Sequence, residues 1–175
     1  MKRLSLLLLL LLGVAAPAAL AQPTLERDPG YVDVEALTQG ITEEPTVEVD
    51  VRGALLRLVV ASARSDDPEL ASMLSRLRAI QVRVYKLNSR DRSVLAGRTA
   101  EFARRLRSQG WEPFVRVRDE DSRVDMMVRT NGDRITGLVA LVVGDDEEAV
   151  FLNIVGEVDP EQVGRIGRRF NVDLD

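Results

Sequence analysis

The stretch FLNIVGEVDPEQVGRI, residues 151–166, gathers an amide (Asn153), a glycine (Gly156) and three carboxylates (Glu157, Asp159, Glu161) behind an apolar run. Carboxylates at such short spacing are the residue types of acid–base or cation chemistry. The same residues also read as a strand handing over to a helix. Asp159 is placed as an N-cap, Pro160 sits in the first turn, and Glu161 lies near the positive end of the helix dipole, ahead of Val163, Ile166 and Phe170. On that reading Phe151 to Val155 is a central strand and Gly156 marks the chain leaving the sheet. Only Asn153 and Glu157 are left without a structural role.

The chain has no Cys and no His. Thiol nucleophiles, thiolate and imidazole metal ligands, and a Ser-His-Asp triad are therefore excluded. A metal would need oxygen ligands, as Ca²⁺ and Mg²⁺ do. The acidic runs Asp119-Glu120-Asp121 and Asp145-Asp146-Glu147-Glu148 lack the spaced Asp-x-Asp-x-Asp-Gly loop with its distal Glu. Both fall at expected hairpin turns, where acids keep the tip solvated. A pairing of Asp125 with Glu48, or a Ser–Lys dyad on Lys86, comes with no motif that names a reaction. No catalytic residue, metal or cofactor is expected.

The remaining candidate is a sheet face. Val82 and Val84, Val115 and Val117, and Val124 and Val128 alternate with polar residues. If these valines point into the core, the opposite face shows Arg83, Tyr85, Phe114, Arg116, Arg118, Asp125, Met127 and Arg129, and an antiparallel sheet can leave one face in water. One account is a ladder of cross-strand pairs, with Glu48, Asp50 and Asp125 matched to arginines. The other is a partner-binding surface made of Arg83, Tyr85, Phe114, Arg116, Arg118, Met127 and Arg129, since Arg, Met and aromatic residues are enriched in protein interfaces.

The elements that must position these groups follow from periodicity. Val47, Val49 and Val51 alternate with Glu48 and Asp50 as a half-buried strand. Leu55, Leu56, Val59, Val60 and Ala63 fall on one helical face. Asp67-Pro68-Glu69 caps a second helix with the stripe Leu70, Met73, Leu74 and Leu77. Residues 80–85 form a strand, 89–93 a polar break, and 93–109 a helix closed by Gly110. A meander follows from Trp111, with Asn131-Gly132 as a hairpin signal and apolar strands at 134–143 and 149–156. The order β-α-α-β-α-β-β-β-β-α implies an α+β fold: a mixed or mainly antiparallel sheet of about six strands with helices packed on one face. The first strand–helix–strand unit is compatible with a right-handed parallel crossover.

Residues 1–21 read as a secretory signal peptide: Lys2 and Arg3, a leucine-rich core, then Ala19-Leu20-Ala21, with cleavage between Ala21 and Gln22. Their removal takes the formal net charge from −4 to −6, because they carry Lys2 and Arg3 and no acid. An acidic chain argues against nucleic acid as a partner. Residues 22–45, punctuated by Pro23, Pro29, Gly30 and Pro45, read as a flexible lead-in with one short element at Tyr31 to Leu37. Residues 46–173 are expected to form a single domain. A periplasmic or secreted location is expected, without a stable membrane span after cleavage.

The segments IQVRVYKL (80–87), the long run from Gly110 to Val163, and the helix DPELASMLSRL (67–77) resemble the bacterial DUF4252 domain family. The matching features are the strand ending in Val84-Tyr85, the Gly110-Trp111-Glu112 opening of the meander, the Ile135-x-Gly137-Leu138 strand and the Asn153-Ile154-x-Gly156-x-x-Asp159-Pro160 handover. The resemblance covers most of the chain after residue 21. It implies a small exported envelope protein, often encoded beside extracytoplasmic-function sigma factors, and it supplies no catalytic residues. Together these readings lead to the expectation of a non-catalytic binding module with a protein partner in the cell envelope. A small apolar or acidic ligand on the Arg-rich face is the alternative, and a carboxylate-based enzyme comes third.

Overall fold

The structure is a computed structural model that describes residues 24–119, 123–144 and 147–159. After a 3₁₀ turn at Leu25–Arg27 the elements are α1 (Glu35–Thr38), β1 (Val47–Arg52), α2 (Gly53–Asp66), α3 (Pro68–Leu74), β2 (Leu77–Lys86), α4 (Ser89–Ser108), β3 (Trp111–Arg118), β4 (Arg123–Asn131), β5 (Arg134–Val143) and β6 (Glu148–Val158). The fold is α+β. Six strands form one sheet in the order β1-β2-β6-β5-β4-β3, and every neighbouring pair is antiparallel.

β1 and β2 are therefore not joined by a parallel crossover. Arg52, the last residue of β1, pairs with Ala79 near the start of β2. Two helices that run out and back deliver the chain to the end of the sheet it left. The break between them is capped as its residues predict: the Asp67 side chain accepts from the Leu70 N–H at 3.0 Å, with Pro68 in the first helical turn. α4 starts earlier than the polar run 89–93 suggests. Asn88 caps it by accepting from the Asp91 N–H at 2.8 Å, and Gly110 follows its end with φ +86°. The helix proposed after Asp159 lies outside the described residues.

Helices lie on both faces of the sheet. On one face α4 (Leu95, Phe102, Ala103, Leu106) packs with Tyr85, Met127, Val139, Leu141 and Phe151. Val32, Val34 and Leu37 join the same cluster, and Leu37 is fully buried. The lead-in is thus docked from Val32 onward and belongs to the domain. On the opposite face α2 and α3 (Leu56, Val60, Ala71, Leu74) pack with Val51, Ile80, Ile154 and Val158.

Asn153 does the docking. Fully buried in the middle of β6, it accepts from the Val32 N–H at 3.0 Å and donates to Gly30 O at 3.0 Å and to Leu138 O at 3.1 Å. A Cβ on Gly30 would lie 2.3 Å from Thr136 O, so only glycine allows the lead-in to come this close to β5.

Candidate functional site

The face that carries Arg83, Tyr85, Asp125, Met127 and Arg129 is the face covered by α4. Tyr85 and Met127 keep only 8% and 3% of their surface and are core residues, so the expected exposed partner surface does not exist at these two positions. The charged residues beside them are paired across strands. Glu48 stands opposite Arg83 in register, and the two are joined at 2.8 Å. Arg83 also donates to Val49 O and Val82 O at 3.1 Å.

Asp125 is 8% exposed and receives both Arg118 and Arg116. Arg118 donates through one nitrogen, Nη2, to both oxygens at 2.7 Å each, and Arg116 donates through Nε at 3.3 Å. This is the ladder of matched charges. Glu48 and Asp125 do not meet as a carboxylate pair: β2, β6 and β5 lie between their strands, which sets them about 19 Å apart at the usual strand spacing. Phe114, Arg116 and Arg118 are the members of the expected surface that are exposed, Phe114 at 57% in the bulge of edge strand β3 between Pro113 and Val115. Ala21 and Gln22 lie outside the described residues.

Asp50 pairs with Arg52 on its own strand at 3.4 Å rather than across the sheet. Opposite it stands Gln81, which is buried near the Tyr31 phenol. Burial, then the charges of Asp33 and Glu26, raise the Tyr31 pKa above its usual value. The acidic runs fall partly on residues 120–122 and 145–146, outside the described residues, and among the described residues no three carboxylates are grouped to hold a metal ion. No described helix is long and apolar enough to cross a membrane.

The other face of the sheet is where the alternating valines are. Val47, Val84, Val150, Val142, Val124 and Val117 stand in register as one row that crosses all six strands. None of the six is buried, and the two end members are 45% and 43% exposed. The next row is Val49, Val82, Leu152, Ala140, Met126 and Val115. Among the described helices, α2 and α3 cover only the far end of this face, around Ile80, Ile154 and Val158. Sequence reasoning took these valines for core because they alternate. The alternation is real, and Val128 on this face is buried with Leu138 and Ala140, but α4 covers the opposite face, the one that carries the paired charges.

A second feature was not foreseen. Arg129, at the end of β4, lines a cavity of about 680 Å³ with Arg76, Arg78, Asn131, Thr136 and Glu157. These residues are distant in sequence and are brought together by register shifts at one end of the sheet. Glycines inside strands, Gly137 and Gly156, were the available sign of a bulge or close approach.

The architecture is that of a small α+β protein built on one six-stranded antiparallel sheet, with an apolar face and a basic cavity left open among the described residues. The chain belongs to the DUF4252 family, described as a domain of unknown function, whose model matches residues 41–166. No curated protein and no solved structure matches it.

Proposed function

We propose that the protein is an exported, non-catalytic interaction module of the cell envelope, and that its valine face receives an amphipathic helix of a protein partner. The row of six in-register valines outside the buried clusters carries this reading, because contiguous exposed apolar surface marks interaction sites. Five strand spacings give the strip a length of about 24 Å, and two rows give it a width close to that of one helix, roughly 10–12 Å. A helix of about 16 residues spans that length. The leader-like residues 1–21 support export, and the family resemblance supports an envelope-stress circuit as the setting.

The test is crosslinked capture from the periplasm with residues 22–175, followed by calorimetry with the captured protein and with a peptide of its aliphatic-striped helix. Replacing Val124, Val142 and Val150 together with Thr keeps β-branched side chains and should leave the fold intact while abolishing binding of both. Equal capture by the Thr variant overturns the proposal. Binding only by a chain ending at Asp159 also overturns it, because the occupant is then the chain's own C-terminal sequence.

A further inference from the structure

We infer that the cavity at the start of β2 binds a small organic anion, a carboxylate or a phosphate ester, through the guanidinium of Arg129. Its volume of about 680 Å³ lies within the usual range for small-ligand sites. Two side chains are aimed at it by bulges. Arg78 is the extra residue of β2 between Leu77 and Ala79 against β6, and Thr136 the extra residue of β5 between Ile135 and Gly137 against β4. Bulges of this kind re-aim side chains beside functional sites.

The charge balance selects the ligand. Three arginines line the cavity, Arg76, Arg78 and Arg129, against two carboxylates, Asp28 and Glu157. Both carboxylates are already engaged: Asp28 by Arg78, and Glu157 by Arg134 at 3.0 and 3.1 Å. Among the described residues Arg129 has no carboxylate and no hydrogen-bond acceptor for its guanidinium. That group is half-buried and held in place. Arg129 pairs across the strands with the buried Trp111, and its Nη1 lies 2.8 Å from where a Cβ on Gly110 would stand. A positioned guanidinium without a counter-charge, partly out of water, gains most from a planar oxyanion that accepts two parallel hydrogen bonds.

Two further groups are available around it. The Asn131 amide is exposed, and the Thr136 hydroxyl donates to Arg129 O at 3.2 Å, which leaves its oxygen free to accept. The lining therefore suits a hydrophilic anion and not a hydrocarbon. The cavity lies at the opposite end of the strands from the valine row, so the two proposals stand or fall separately.

The experiment is a two-dimensional amide NMR titration of residues 22–175 with sodium phosphate and, separately, with sodium succinate, both at constant ionic strength. Saturable shifts are expected at the Asn131, Thr136 and Gly156 amides and at the Arg129 Nε–H, and the anion that saturates identifies the source. Arg129→Gln should weaken binding about tenfold or more, the scale of one lost charge-assisted contact. Arg129→Lys should fall between, since it keeps the charge and loses the fork. If Arg129→Gln does not fold, Arg129→Lys alone decides: affinity equal to wild type overturns the inference. So do the absence of saturable shifts with both anions and unchanged affinity in a folded Arg129→Gln chain.

Discussion

Asn153 binds the backbone on both sides of Tyr31, accepting from Val32 N–H and donating to Gly30 O, across more than 120 residues of chain. One buried carboxamide thus fastens the lead-in to a central strand. Asn153→Leu leaves Val32 N–H, Gly30 O and Leu138 O short of partners, and at about 1–3 kcal/mol for an unsatisfied buried group the loss should reach roughly 3 kcal/mol in urea unfolding. Asn153→Asp keeps the acceptor but sets a carboxylate against two carbonyls. It should be the worse variant at neutral pH and recover part of the deficit in acid.

Gly156 and Gly53 both take positive φ, +122° and +55°, yet their replacement should differ. A Cβ at Gly156 would stand 2.6 Å from Arg76 O and 2.7 Å from Leu77 Cα, both backbone, whereas a Cβ at Gly53 meets nothing within 4 Å. Gly53→Ala should cost about 1–2 kcal/mol, the left-handed strain alone. Gly156→Ala should cost clearly more, and it should also disturb the anion cavity, which Gly156 and Arg76 line together. Equal melting temperatures for the two variants would falsify this distinction.

Asp125 gathers Arg116 and Arg118 on the edge of the sheet. In Asp125→Asn the carboxylate's charge is lost while its shape is kept. Because both arginines are well exposed, the expected loss is only about 1–2 kcal/mol, and it should shrink at high salt. Denaturation at two salt concentrations measures it. A loss that does not respond to salt would point to packing in place of the ion pair.

Tyr31 has its pKa raised above 10.0, first by burial and then by Asp33 and Glu26, so the folded chain holds the phenol proton more tightly than the unfolded chain does. Its contribution to stability is complete below pH 10 and is lost as pH rises through the folded-state pKa. Tyr31→Phe should flatten the alkaline limb of the stability curve. Phenolate absorbance during the titration reports the same event. An identical alkaline limb in both chains would remove the assignment.

Periodicity revealed most of the fold because strands with one apolar and one polar side are half-buried by construction. Val47 to Val51, the Asp67-Pro68 cap and the β4–β5 hairpin were all legible. The hairpin is offset by one residue, with Gly132 the first loop position and Asn131 still in β4. Which side of the sheet is covered was not legible. Arg83 and Asp125 read as solvent-facing, yet both lie on the face that packs α4 and are paired across strands with Glu48, Arg116 and Arg118, and burial of polar groups is tolerated once they are paired. The Arg129 cavity was hidden for another reason. Its walls come from four strand ends whose register slips by a residue, and slips of that kind leave no mark beyond a glycine.

The sheet order has a consequence in time. Among the described strands β6 is the last in sequence, and it lies between β2 and β5 in space. Until residues 148–158 are present, β1-β2 and β3-β4-β5 are two separate ribbons, each with an open edge, and the lead-in has no Asn153 to dock on. Pairings this distant are slow to form, since loop closure must precede any gain from the contact. A chain emerging from its N-terminus first therefore keeps these two ribbons apart until β6 has followed. It then closes in one late step, when β6 joins the two ribbons.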